Sequence, residues 1–384
     1  MGMAPVRAAR KAVEDAAAKD WVFPTPDNQL LIVDIVIVAY LPNEQGIIIN
    51  RIKHACETLI YPIDRIRINI VYNTPAPIEP LETQMWEQAA KYPQLRIIKV
   101  ENSTSKVYGN PFSFNTLTDK IQADNLNYFF SLNTGSDITA VFDCDHYLHP
   151  HNPRWAVERF IQDGIHMANP EVDIVQGRCV VFNSVASFLT GMIAAEFDKI
   201  YAVSHPGRAA IWGFGLFCGS NGYWRTSLIR ELKMDGDMLT EDIDSALRAC
   251  GRGMNAVHDL NVISYELAPT TWQSFWKQLL RWAQGWAQAT IKHTVLAVNK
   301  APAGKCVFTT RFGLLNLLVI REMSYYLVTQ FTCLVCSFVC LNFPLAPAAL
   351  WKTVFSQFPV SEWMLMFRQE LTTWLLLDPS WRCD

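Results

Sequence analysis

The chain has 384 residues, half of them apolar and 12% aromatic, enough for one large α/β domain or two ordinary ones. That balance is rich for a soluble enzyme and below that of a polytopic membrane protein, so a globular body with some membrane contact is expected. A net charge of −3 and a pI near 6.3 exclude a nucleic-acid binder, which carries a basic excess. The ten cysteines show no even framework of close spacings, which excludes a disulfide scaffold and fits a reducing compartment.

Residues 1–27 read as an exposed helical arm, without the apolar core of a secretory signal. LLIVDIVIVAY, Leu30 to Tyr40, is a β-branched run that predicts a strand buried on both faces, hence a parallel sheet. A helix over 46–60 ends at Tyr61-Pro62; IRINIVYN is a second strand, another helix follows, and LRIIKV is a third strand. Thr116 to Leu132 is predicted helical, and DITAVFDCD, Asp137 to Asp145, is a fourth strand running into two carboxylates. Open parallel sheets bind ligands at the carboxyl ends of their strands, so those acids mark a candidate site. A further strand, DIVQGRCVVF, precedes a helix to about Val203. WGFGLFCGSNGYW then reads as a loop whose Gly213, Gly215, Gly219 and Gly222 allow backbone to approach a ligand or simply turn the chain.

Thr240 to Cys250 predicts a helix with Thr240 as cap and Glu241 and Asp242 at its positive end, stopped by Gly251 and Gly253. Trp272 to Val298 is a long amphipathic helix, followed by Lys300, Lys305 and Arg311, as suits a membrane surface. No charge occurs between Glu322 and Lys352, so one crossing or a re-entrant hairpin is expected, a buried soluble helix being the alternative. Val360 to Leu377 is a weaker second candidate. Basic residues ahead of the span place the preceding domain on the cytoplasmic side. Cys333 and Cys336 form a CxxC inside this apolar run and are expected to pack between helices. The ending LLLDPSWRCD leaves a fragment of a longer chain as an open alternative.

Asp143-Cys144-Asp145, Thr240-Glu241-Asp242 and Gln278-Leu279-Leu280-Arg281-Trp282 are the clusters that can carry chemistry. Singly, each has a bland reading: a solvated loop, a helix cap, one face of a surface helix. Their order, with IVAYLPNE after the first strand, NLN at Asn125 to Asn127, DCDH at Asp143 to His146 and FCGS at Phe217 to Ser220, resembles the family 2 glycosyltransferases of the cellulose, hyaluronan and chitin synthase type. The resemblance runs from Leu30 to Trp351. It implies a GT-A domain, a Rossmann-like α/β nucleotide-sugar-binding fold, over 28–270, amphipathic interface helices over 271–312 and a membrane-associated region over 313–384. The implied activity is inverting, metal-dependent transfer of a sugar from a nucleotide diphosphate, UDP-linked, onto a carbohydrate acceptor, building a β-linked polysaccharide; homo-oligomers are compatible with it.

By the same resemblance Asp145 and Asp143 hold Mg²⁺ or Mn²⁺, hard cations that suit oxygen ligands and neutralise a departing diphosphate. Asp143 also belongs to the nucleotide site, with Ala39, Tyr40, Glu44 and Asn73. Asp242 is the general base that takes the acceptor proton, with Glu241 as companion. Gln278 and Arg281, three apart on one helical face, meet the diphosphate, where a guanidinium offers forked donors. Trp282 stacks on the acceptor sugar, and Phe217, Cys218 and Gly219 line its channel. Asn73 replaces an Asp and Gln122 a Lys, with Lys120 as substitute, so a catalytically impaired nucleotide-sugar-binding protein is the alternative. Two other classes fit less well. A zinc hydrolase would use His146, His149 and His151 but needs further ligands, and a nucleotidyltransferase needs a phosphate loop that LPNEQG does not supply.

Overall fold

A computed structural model describes residues 23–100, 116–161, 172–298, 308–324 and 327–328. The chain divides into two compact units, Met1–Val107 with Asn115–Val319, and Tyr108–Phe114 with Ile320–Asp384. Of the second, 320–324 and 327–328 are described, a helical stretch in which Arg321 pairs with Glu322 at 2.6 Å.

The first unit is built on an eight-stranded sheet of order β3-β2-β1-β4-β7-β6-β8-β5. Its strands are β1 Val33–Tyr40, β2 Ile66–Asn73, β3 Leu95–Lys99, β4 Ile138–Asp143, β5 Tyr147–Leu148, β6 Ile174–Val181, β7 Gly222–Arg225 and β8 Ala256–Glu266. β1 has both faces covered, as its apolar stretch from Ile35 to Ala39 requires. Ile35, Ile37 and Ala39 join one core with Ile48, Ile52 and Met85 from the helices Ile48–Thr58 and Leu81–Lys91. Val36 and Val38 join a second core with Leu126 and Phe129 from the helix Thr116–Ser131 and Leu247 from Glu241–Gly251. Each of the larger side chains among these, taken from water into a close-packed interior, stabilises the fold by about 1.5–3 kcal/mol.

The parallel expectation holds for β1 to β4, where β1 pairs with β2 and β4 and β2 with β3, all parallel. Beyond β4 the sheet is mixed: β7 runs antiparallel to both β4 and β6, β6 and β8 are parallel, and β5 is antiparallel to β8. The segment read as a loop therefore ends in a strand. β7 buries Tyr223 in the first core and Trp224 in the second, the alternation of a strand covered on both faces. The helix expected to stop near Val203 continues: Phe188–Asp198 passes through a π-helical stretch, Lys199–Ser204, into His205–Trp212.

The amphipathic segment forms a helix over Trp272–His293, then a 3₁₀ turn over Thr294–Ala297. No helix among the described residues is long and apolar enough to cross a membrane. The 1–22 part of the arm, the uncharged run beyond residue 328, the CxxC and the Val360 to Leu377 segment lie outside the described residues.

Candidate active site

The parallel half of the sheet brings several sequence-distant positions to one edge. Tyr40 lies beside Asn73 and Val38 beside Asp143 in the strand register, so β1, β2 and β4 end together. Ala39 is buried there, its carbonyl accepting from Asn125 Nδ2 at 3.4 Å. Asn73 donates its side-chain amide to the Val100 carbonyl at 2.8 Å, which leaves its amide oxygen as the acceptor at this strand end. Asp143 accepts from Gln122 Nε2 at 2.6 Å, and its own backbone N–H donates to Ser220 Oγ at 3.2 Å. Gln122 thus grips the first aspartate directly.

Glu44 follows β1 in the short helix Leu41–Glu44, and its acidity shows how tightly the acids are gathered. Burial, then the charges of Asp145 and Asp143, push it up to about 7 against the pull of Arg51. Asp143 is pushed up to about 6, first by burial, with Asp145 and Glu266 adding to the effect and His146 and Arg281 opposing it. Arg281, on the Trp272–His293 helix, therefore acts electrostatically on the end of β4.

Asp242 reaches the same place by another route. Gly219 has φ +86°, a left-handed conformation that favours glycine, and a Cβ there would stand 3.2 Å from Asp242 Oδ2. The next residue, Ser220, holds the Asp143 backbone. A single tight turn consequently touches both the helix that begins Glu241–Asp242 and the strand that ends in Asp143. Gln278 Oε1 is buried without a hydrogen-bond partner, an acceptor that a ligand hydroxyl or amine can satisfy.

The acids fit a divalent cation. Ligand atoms of Asp143, Asp145 and His146 lie within 4.8 Å of one another. Two carboxylates and an imidazole make a hard, mixed oxygen–nitrogen set compatible with Mn²⁺, and with Mg²⁺ if the carboxylates dominate. His149 and His151 belong to neither of the metal-capable groups among the described residues, so the trio of histidines does not converge as a zinc site would require.

Other expected roles are altered. The Phe217 ring is 1% exposed and packs edge-on against Trp224 at 5.3 Å, as part of the second core. Cys218 is partly exposed, its Sγ 3.1 Å from His205 Nδ1. Trp282 is half-buried against Phe197, ring centroids 6.1 Å apart. Thr240 occupies the N-cap position of its helix, but its hydroxyl makes no capping bond. Gly213 closes the His205–Trp212 helix in a left-handed turn, while Gly215 and Gly222 make room for Ala256 and the Phe217 ring, so these three serve the fold's own packing.

His146 is part of the DCDH motif, but its partners on β8 and the buried Arg51 near the acids have no sequence signal. His146 sits between two side chains of β8, with Nδ1 3.0 Å from Ser264 Oγ and Nε2 3.1 Å from Glu266 Oε2. Burial opposes charge on that imidazole, but Glu266, Asp145 and Asp143 outweigh it and push it up to about 9. Arg51 is fully buried over the Tyr147 ring, its three guanidinium nitrogens without hydrogen-bond partners and its pKa lowered to about 10 by burial. A charge in an amphipathic helix reads as solvent-facing, as Lys53 and Glu57 of the same helix are, and no local pattern marks β8.

Behind the Cys218 turn, His258 is held down to about 3 by burial and the nearby Arg208 charge, and the Leu216 N–H donates to its Nε2 at 3.4 Å. A histidine kept neutral in the fold but titrating near 6.5 when unfolded contributes stability that is complete above that pH and is lost as pH falls toward 3. With partial solvent screening, the loss should be roughly 1 kcal/mol per pH unit. Denaturant titrations at pH 7.5 and 5.5 should therefore show a larger drop for the wild type than for His258→Gln; equal drops would show that this ring does not titrate with unfolding.

The fold and the gathered acids define a mixed α/β domain with a carboxylate cluster at the ends of its parallel strands, and comparison with known proteins gives its family. A family model described as glycosyl transferase family group 2 matches residues 141–365, more than half of the chain, and the chain belongs to that family. It is 34% identical over 122 residues to a probable glucomannan 4-beta-mannosyltransferase 7 of Oryza sativa subsp. japonica, covering 32% of this chain and 21% of that protein. It is 28% identical over 225 residues to a probable glucomannan 4-beta-mannosyltransferase 3 of Arabidopsis thaliana, covering 57% of this chain and 38% of the other. The chain spans from 21% to 46% of the length of such curated relatives. Among solved structures, mannosyltransferase PcManGT from Pyrobaculum calidifontis, in complex with GDP-Man and Mn²⁺, superposes with a TM-score of 0.58 at 18% identity, covering 94% of this chain and 91% of that one. That likeness establishes the GT-A-like fold.

Proposed function

We propose that this chain is the catalytic part of an inverting, cation-dependent glycosyltransferase that moves mannose from GDP-mannose onto a β-mannan-type acceptor. The observation that carries the reading is the turn Cys218–Ser220, which joins Asp242 to Asp143 while Arg281 and Asp145 act on the same strand end. A bound cation supplies charge neutralisation to the departing diphosphate. The protein's own residues do the rest. Arg281 and Gln278 orient the diphosphate, the ends of β1 and β2 seat the nucleoside, and Asp242 takes the acceptor hydroxyl proton as that oxygen attacks the anomeric carbon from the face opposite the leaving group. A single displacement inverts the configuration.

The mannosyltransferase names among the relatives, and GDP-Man in the fold neighbour, favour a guanosine donor over the uridine donor that the synthase resemblance suggested. Asn73, with its amide nitrogen used by Val100, presents an acceptor to a base amine, and Gln122 engages Asp143, so neither departure leaves a hole in the site. Membrane attachment through the Trp272–His293 face belongs to the same reading. Trp272 and Trp276 are exposed there, as are Val185 and Phe188 on the neighbouring segment, an apolar surface suited to a lipid interface.

The test is incubation of the protein with Mn²⁺, mannan oligosaccharides and a panel of labelled GDP- and UDP-sugars. Chain extension from GDP-mannose alone supports the reading. Extension from a UDP-sugar restores the uridine assignment, and tight nucleotide-sugar binding without turnover favours the impaired-protein alternative.

A further inference from the structure

The residues assigned to proton transfer and to the diphosphate sit on two different helices, Glu241–Gly251 and Trp272–His293, joined through strand β8. Their relative placement must hold to a fraction of an ångström, since a misplacement of about 1 Å at a reacting group can cost about a hundredfold in rate. Asp244, one turn beyond the start of the first helix and 0% exposed, is where the two are fastened.

Its Oδ1 accepts from His293 Nε2 at 2.7 Å and from Lys292 Nζ at 2.8 Å, both at the far end of the second helix. Its Oδ2 accepts from Arg248 Nε at 2.7 Å on its own helix, and Arg248 continues to the Leu232 and Lys233 carbonyls. These contacts and the cations pull its carboxyl far below the usual carboxylate range despite burial. Two further contacts lie along the same seam. The Leu239 N–H donates to Gln288 Oε1 at 3.0 Å, and Gly285 lets the helices approach so closely that a Cβ there would stand 2.3 Å from Thr240 Cγ2. Thr240 precedes the two acids directly, and Arg281 lies one turn before Gly285.

We propose that Asp244 is a positioning residue that clamps the helix bearing Glu241 and Asp242 to the helix bearing Gln278 and Arg281, with Gly285 setting their separation. The proposal rests on the roles given to Asp242 and Arg281 above. Replacing the carboxylate by an amide leaves Arg248, Lys292 and His293 facing one another without the negative charge that holds them together, which drives the seam open. A Cβ at position 285 wedges the same seam apart with every charge retained.

The experiment uses the full chain and two readouts. In hydrogen exchange, Asp244→Asn and Gly285→Ala should each speed exchange in both helices by about tenfold or more while β1 to β4 stay protected. In transfer kinetics per folded molecule, each should lower kcat by at least about tenfold with the donor KM changed less than about threefold, and Asp244→Glu should recover part of the loss. Asp242→Asn, the control, should lose kcat with exchange unchanged. Wild-type exchange in the two helices of both variants, or wild-type kcat in either, overturns the clamp. Should the wild type transfer no sugar, the functional reading fails, while the exchange readout still decides the clamp.

Discussion

Replacing Asp242 with Asn should lower sugar transfer by about 10³-fold or more, within the range expected for a positioned general base, while leaving nucleotide-sugar affinity unchanged. That is about 4 kcal/mol of transition-state stabilisation. The amide matches the carboxylate in size and can still meet the Gly219 turn, against which a Cβ would stand only 3.2 Å from Asp242 Oδ2, so local packing survives. What disappears is the capacity to accept a proton. Progress curves with saturating donor, alongside calorimetric titration of the nucleotide sugar, separate the two properties. Residual activity within about threefold of wild type would transfer the base role to another group.

Asp145→Asn is expected to act earlier, on the cation. Asp145 stands among Asp143, Glu44 and His146, with its side chain about a third exposed and Oδ1 3.9 Å from His146 Nε2. Of the two aspartates it is the more open, so its oxygens are the freer to meet an ion. Losing that charge should weaken Mn²⁺ binding by about 10- to 100-fold and reduce transfer by about 10³-fold at limiting metal, with partial recovery as the metal is raised. Mn²⁺ titrations followed by electron paramagnetic resonance give the affinity without reference to turnover. Unchanged Mn²⁺ affinity would mean that the ion is held elsewhere, with the group formed by His146, Cys179 and Glu266 the next place to look.

The parallel half of the sheet was legible because its signal is local. β1 is apolar from Ile35 to Ala39, and its alternate residues there enter two cores as such a run demands; Asp34, its one carboxylate, is buried against Arg67 at 2.7 Å. β8 was overlooked for the opposite reason. AVHDLNVISYE mixes polar and apolar residues without alternation, because Asp259 is buried against Arg159 at 2.5 Å and Ser264 against His146 at 3.0 Å. β5 is two residues long and exists only through its pairing with β8. The burial of Phe217 is not legible either, because a motif places a residue in chain order without saying which way its ring turns. Here the ring fills the space left by Gly222.

The βαβ order, the two aspartates at a strand end and the helices carrying Asp242 and Arg281 can be read from residue type and spacing, since each depends on neighbours a few positions away, and the order of the motifs along the chain adds the resemblance to the family. The grip of Gln122 on Asp143, the burial of Arg51, the bracketing of His146 by β8 and the seam at Asp244 cannot, because every one of them joins side chains 21 or more positions apart or turns on burial. Burial and long-range charge are properties of the closed sheet and its covering helices, and they come into being only when distant segments exclude water together.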